Sequence, residues 1–243
     1  MKFNSWAFAV VALLVLHPLG KVAIANEPDF SGTGQPTDKD SNSAGSRGDC
    51  KFDLTPLIPV NEQGGWTTQG NPTLWIRVPV ELSSVQSVRV MVRDESGKPV
   101  YNARLTNLDA PAGIIRLPLP DTVQLPVSSP DSESGFFNWM VAVYCDDTGD
   151  RPASIRGSIR RVAVDAPSEF ALEGKSPQEI RELSELYVEN RIWYDALTVL
   201  GKARLAAPDD PVLLEAWQTL LGNSTVGLEE VTNEPLVDCC TLP

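Results

Sequence analysis

Histidine sets the first limit on chemistry. The 243-residue chain has one, His17, inside a stretch that reads as a removable export leader. Once that leader is gone, no side chain with an unperturbed pKa near neutrality is left. Ser-His-Asp and Cys-His nucleophile systems are then ruled out, and so are histidine-ligated zinc, copper and haem centres. The reactive groups that remain are carboxylates, lysines, tyrosines and the four cysteines Cys50, Cys145, Cys239 and Cys240.

Carboxylates gather most densely at Asp146, Asp147 and Asp150, in a loop that also holds Thr148 and Gly149. Oxygen ligands in such a loop suit Ca²⁺, but the spacing is not that of an EF-hand, and Asp and Gly are ordinary turn formers. The loop reads as a turn, and no metal or other cofactor is assigned. Asp94 and Glu95 precede Ser96-Gly97 and read as a solvated hairpin tip. Glycoside hydrolysis needs two carboxyl groups facing each other across about 5–9 Å, and no spacing along the chain singles out such a pair.

Two aromatic residues are candidates for touching a partner. Trp66 follows Gly64-Gly65 and reads as an exposed loop residue. Tyr194, beside Asp195, stands on a predicted helix where it can face a partner groove. Trp75, Trp139, Trp193 and Trp217 fall on apolar stripes and read as core. Arg151, Arg156, Arg160 and Arg161 form a small basic group on or near the last predicted strand, expected to pair with nearby acids and guard a sheet edge.

Four cysteines allow three connectivities. Cys50 and Cys145 border strand-like segments, whereas Cys239 and Cys240 share the chain's end, so a Cys50–Cys145 disulfide is expected. Closing a loop of that size stabilises by about 4 kcal/mol on the chain-entropy model. For the adjacent pair, free thiols, a mutual bridge and an intermolecular link all stay open.

The elements that must position these groups follow from periodicity. Residues 1–25 join a basic start at Lys2, an apolar stretch over 6–16 and the small-residue ending Ala23-Ile24-Ala25. That is the layout of a cleavable secretory signal, with a mature start at Asn26. The apolar stretch is far below the roughly 20 residues that span a bilayer, so no membrane anchor is expected after cleavage. Residues 26–49 carry almost no aliphatic content and read as a disordered polar leader.

Seven strand signals then recur over 50–165, separated by Gly, Pro, Asp and Ser, with no helical period between them. One of them, 86–94, turns Val88, Val90 and Val92 one way and Arg89, Met91 and Arg93 the other. This pattern predicts an immunoglobulin-like β-sandwich or open barrel. The period changes at Ser176-Pro177-Gln178-Glu179, a helix start, and three helices are expected over 176–222, the last closed by Gly222. Residues 223–243 read as an acidic flexible tail.

Ile180, Leu183, Ser184, Tyr187, Ala196, Leu200, Ala203 and Pro208 fall at the spacing of a single tetratricopeptide unit, with the third helix as its cap. Such units normally stack, so the exposed side of this one needs a cover. The ordered segments LWIRVP (74–79), GIIRLPLP (113–120), the strand from Trp139 to Cys145-Asp146, GSIRRV (157–162) and IWYDAL (192–197) resemble the landmarks of an exported cyanobacterial family, domain of unknown function 928 (DUF928). The resemblance runs from about Cys50 to Leu221. It implies export and a β-then-helix layout, and it carries no catalytic residue.

Charge narrows the partners. The chain has 20 basic and 32 acidic residues; losing Lys2 and Lys21 with the leader leaves 18 against 32, a net −14. Such a surface repels phosphate backbones, so nucleic acid is not an expected partner. The expectation is an exported, periplasmic or extracellular protein without catalytic activity, mainly β with a C-terminal α part. It would bind another envelope or extracellular protein. The alternative is a carbohydrate-binding module or a carboxylate-dependent glycan-active enzyme.

Overall fold

The structure is a computed structural model that describes residues 29–31, 33, 50–60, 62, 64–130, 132, 134–146, 151–164 and 172–243. The expected signal (1–25), most of the polar leader (26–49) and positions 147–150 of the acidic loop lie outside the described residues.

The protein is mainly β, with three helices toward its C-terminus. Strands occur at all seven predicted places: β1 (Thr55–Pro56), β3 (Thr73–Val78), β4 (Ser87–Asp94), β5 (Pro99–Leu105), β6 (Gly113–Pro118), β7 (Phe136–Tyr144) and β8 (Ala153–Arg161). Two more, β2 (Gly64–Thr67) and β9 (Leu236–Val237), raise the expected seven to nine among the described residues. The strands form a four-stranded sheet, β1-β3-β6-β9, and a five-stranded sheet, β2-β8-β7-β4-β5. Pairing is antiparallel except for β2 with β8 and β6 with β9.

Alternation places one face of each strand in the interior. Val88, Val90 and Val92 of β4 join Trp139, Val141 and Val143 of β7, and Leu74 and Ile76 of β3 join Ile115 and Leu117 of β6, all within one continuous core. The Cys50–Cys145 disulfide forms as expected, with Cα atoms 5.4 Å apart. Cys239 and Cys240 are bridged to each other, which resolves the alternatives left open for that pair.

The helices are α1 (Pro177–Glu189), α2 (Trp193–Ala206) and α3 (Pro211–Leu221). Ser176 and Glu179 close α1 in a reciprocal capping box, an arrangement whose loss costs about 1 kcal/mol. Those bonds from Ser176 hold the Glu179 carboxyl below its ordinary pKa. Asp210 caps α3 by accepting from the backbone of Val212 and Leu213. The small residues Ser184 and Ala196 let α1 and α2 approach closely enough for the Ser184 hydroxyl to donate to the Ala196 carbonyl at 3.1 Å.

Helix α2 is buried nearly all round, because α1 and α3 cover one side while β2, β3 and β9 cover the other. The passage from 50–165 to 176–222 is therefore a change of secondary structure and not of core. Among the described residues, no helix is long and apolar enough to cross a membrane.

The C-terminal segment corrects the expectation of a flexible tail. Its acidic composition suggests a solvated strip, yet Val226, Leu228, Val231, Val237 and Leu242 are buried. Strand β9 pairs in parallel with β6, placing Leu236 beside Ile114 and Val237 beside Ile115. Glu234 pairs with Arg77 and Asp238 with Arg116. The segment is a strap across the edge and outer face of the four-stranded sheet.

Candidate functional site

The helical cover meets the strands along a seam built by the first turn of α2. Trp193, Tyr194 and Asp195 follow one another there, and each side chain reaches a different part of the β structure. Trp193 Nε1 donates to the Leu57 carbonyl at 2.8 Å. The Tyr194 hydroxyl accepts from Trp139 Nε1 at 2.7 Å and donates to the Ser158 carbonyl at 3.0 Å. Asp195 accepts from the Thr67 hydroxyl at 2.6 Å and from the Thr68 backbone at 2.9 Å, with a further bond from the Thr68 hydroxyl.

Close backbone approach makes this geometry attainable. A Cβ on Gly65 would lie 2.8 Å from the Cβ of Trp193, and one on Gly201 would lie 2.4 Å from the Trp75 ring. Only glycine fits between those surfaces. With that room, Trp75 packs edge-on against Trp217 at 6.1 Å, and its Nε1 donates to Thr198 at 3.2 Å. The segments LWIRVP, GSIRRV and IWYDAL thus converge on one seam, together with Trp139.

Burial decides the ionisation of this seam. Desolvation raises the Asp195 carboxyl to about 6 despite the opposing hydrogen bonds from Thr67 and Thr68. Burial, with the charge of Asp195 as a lesser cause, pushes Tyr187 up to about 12. Burial also drives Tyr194 upward, so its hydroxyl stays protonated and acts as a donor.

Both predicted contact residues are thereby moved from surface to interior. Tyr194 is 1% exposed and Trp66 is 7% exposed. Trp66 is not in a loop but in β2, where its ring lies between the guanidinium groups of Arg160 and Arg191, 5.0 and 5.1 Å from its centroid. Neither ring is offered to a partner. The glycines that suggested a loop instead let β2 pass Ser158 and Trp193.

The basic group on β8 also differs from expectation. Strand β8 lies inside the five-stranded sheet, not at its edge. Arg160 donates to the carbonyls of Pro130 and Ser132, and Arg161 donates to those of Thr68 and Leu125. These two side chains fasten loops through backbone acceptors. Arg156 points outward and is exposed.

The outer face of the five-stranded sheet is a second candidate region. The register sets Arg89 beside Arg104 and Ala142, Met91 beside Asn102 and Met140, and Met140 beside Arg156. Arg93 lies on the same face of β4. Sequence reading found the alternation within β4, but only the pairing of β4 with β5 and β7, and of β7 with β8, reveals that arginines from three strands share one surface.

The carboxylates of the described residues sit in different surroundings. Asp195 is the one buried carboxylate there, and it is engaged by β2 and the residues that follow it. Asp94 turns back onto its own hairpin, accepting from Ser96 and Lys98, bonds that lower its pKa. No group of three or more His, Cys, Asp or Glu side chains able to hold a metal ion occurs among the described residues.

Fold and seam define a class: a two-sheet β protein with a helical cover fastened to strands of both sheets. The family model described as Domain of Unknown Function (DUF928) matches residues 42–236, and the chain belongs to that family. No curated protein matches it at a significant level. The β-glucuronidase of Parabacteroides merdae, in two crystal structures, aligns with 74% of this chain and with 26% and 27% of its own. Sequence identity is 11% in both cases, and the TM-scores are 0.27 and 0.26. This chain spans about a quarter of that enzyme's length, and a likeness so slight carries no argument.

Proposed function

We propose that this is an exported binding protein of the cell envelope that performs no chemistry and takes another envelope or extracellular protein as its partner. One observation carries the reading: Asp195, the carboxylate whose pKa is raised into the range useful for acid-base work, ties α2 to the strands and does not face solvent. A carboxyl group in that position holds parts together. The Cys50–Cys145 bridge suits an oxidising compartment, and the family resemblance points to an exported cyanobacterial protein.

The two sheets are read as an immunoglobulin-like sandwich, and α1 with α2 as a tetratricopeptide-like pair capped by α3. In an array such a pair is covered by the next repeat; here β2, β3 and β9, drawn from both sheets, take that place. The glycan-directed alternative loses its main support with Trp66 inside the protein.

The test uses the chain from residue 26 onward as bait on an envelope fraction, beside N-terminal sequencing of the exported protein. A saturable protein partner and a start at Asn26 are expected. Turnover of a glycan or other substrate, abolished by replacing one acidic side chain, would overturn the reading.

A further inference from the structure

The two sheets give their outer arginines different company. On the four-stranded sheet, Arg77 and Arg116 meet Glu234 and Asp238 of the strap at 2.6 and 2.8 Å. The strap also extends that sheet by pairing with the free side of β6. On the five-stranded sheet, Arg89, Arg93, Arg104 and Arg156 form no ion pair among the described residues.

Local contacts hold several of these side chains in place without neutralising them. Arg89 Nε donates to Asn102 Oδ1 at 2.9 Å. Arg104 lies over the Tyr144 ring, 4.5 Å from its centroid. Arg93 rests against the sulfur of Met91 at 3.5 Å. The two acids that follow Arg93 are committed elsewhere: Asp94 to its own turn, and Glu95 to the backbone N–H of Phe136. Beside this face, β5 is the terminal strand of its sheet, with Val100 40% exposed, so one row of its backbone groups is unused by the sheet.

From this contrast we infer that the arginine face and the β5 edge together receive an extended acidic segment of a partner protein, added as a strand along β5. This rests on the binding reading above and names the partner's chemistry. Strand addition supplies main-chain bonds, and alternate side chains supply specificity. Carboxylates at alternate positions would meet Arg104 directly and Arg89 one strand further in, where guanidinium forks suit them. The protein's overall negative charge does not prevent this, because charges beyond about 8 Å are screened at physiological ionic strength. An acidic polysaccharide shares the charge but cannot use the strand edge.

The test measures binding of a short labelled peptide alternating glutamate with valine to the full mature protein at physiological ionic strength. Comparison probes are the same peptide with glutamine for glutamate, the same peptide N-methylated along one edge, and polygalacturonate. Variants are Arg89→Gln, Arg93→Gln, Arg104→Gln and Arg156→Gln combined, and the milder Arg104→Gln alone, each checked for an unchanged thermal melt. Saturable binding of the acidic peptide is expected, weakened at least about tenfold by the combined change, by glutamine substitution and by N-methylation. Absence of peptide binding, equal binding of the glutamine peptide, indifference to the arginines or to N-methylation, or a preference for polygalacturonate would overturn the inference. None of these outcomes bears on whether the protein is a catalyst, which only the turnover assay decides.

Discussion

Arg77 and Arg116 stand on the outside of one sheet, and each meets a carboxylate from the same polypeptide. Arg89, Arg93, Arg104 and Arg156 stand on the outside of the other and meet none among the described residues. Charge does not explain why the strap stays down. Exposed or half-exposed ion pairs contribute about 0–1 kcal/mol, whereas each valine or leucine buried beneath the strap contributes about 1.5–3 kcal/mol. The apolar residues hold the segment, and the ion pairs set its register. On the uncovered sheet no segment of the described chain supplies such anchors, so an occupant would rely on main-chain pairing and guanidinium contacts.

The largest test of this contrast removes the covered side altogether. A fragment of residues 50–165 is expected to aggregate or unfold without a cooperative transition, since Trp75 and Trp139 lose the helix that buries them. A soluble fragment with a sharp urea transition would show that the cover is dispensable. Next, replacing Cys50 and Cys145 together with alanine should cost about 4 kcal/mol, read as a lower urea midpoint at unchanged slope. The bridged cysteines are not among the arginine-face residues, so arginine-face binding should persist at temperatures where the variant is folded.

Asp195 gives a smaller effect with a definite sign. Its carboxyl titrates near 6 when folded and near 3.8 when unfolded, so the folded state holds the proton more tightly. Its contribution is therefore most favourable at and below about pH 4, declines as pH rises through 6, and is constant above. The span is on the order of 3 kcal/mol. Urea titrations from pH 4 to 7 should show this decline in the native protein relative to Asp195→Asn, in which it should be absent. Parallel curves for the two proteins would mean that the seam keeps a charged carboxylate throughout.

The smallest expected effect is on the uncovered face. Each single Arg→Gln change at positions 89, 93, 104 or 156 should shift stability by no more than about 0.5 kcal/mol, measured by thermal melting. A larger loss at any of them would mean that this face is structural, as the strapped one is.

Much of this was legible because period and punctuation are local. Valine alternation in β4, the Ser176-Pro177 start of α1 and the Gly222 stop of α3 are fixed by neighbours within a few residues, and so they read correctly. The same holds for Cys50 and Cys145, which flank strands. Strand β2 was missed because Gly64-Gly65-Trp66 resembles a loop, while its glycines answer to Ser158 and Trp193, far along the chain. The strap was missed because its buried valines and leucines follow no period and its acids dominate the composition. Trp66 was misplaced for the reason that β2 was. The arginine face needed a register between strands, which no single segment carries.

The bond between Thr67 and Asp195 joins positions 128 residues apart, and that between Leu57 and Trp193 spans 136. Synthesis proceeds from the N-terminus, so every strand but the last is made well before the helix that encloses it. In the interval a nascent chain presents bare indole rings and an uncompleted border, surfaces suited to an escort. Contacts so distant are slow to form, and closure of the seam by residues 193–195 is expected to follow the pairing of the hairpins.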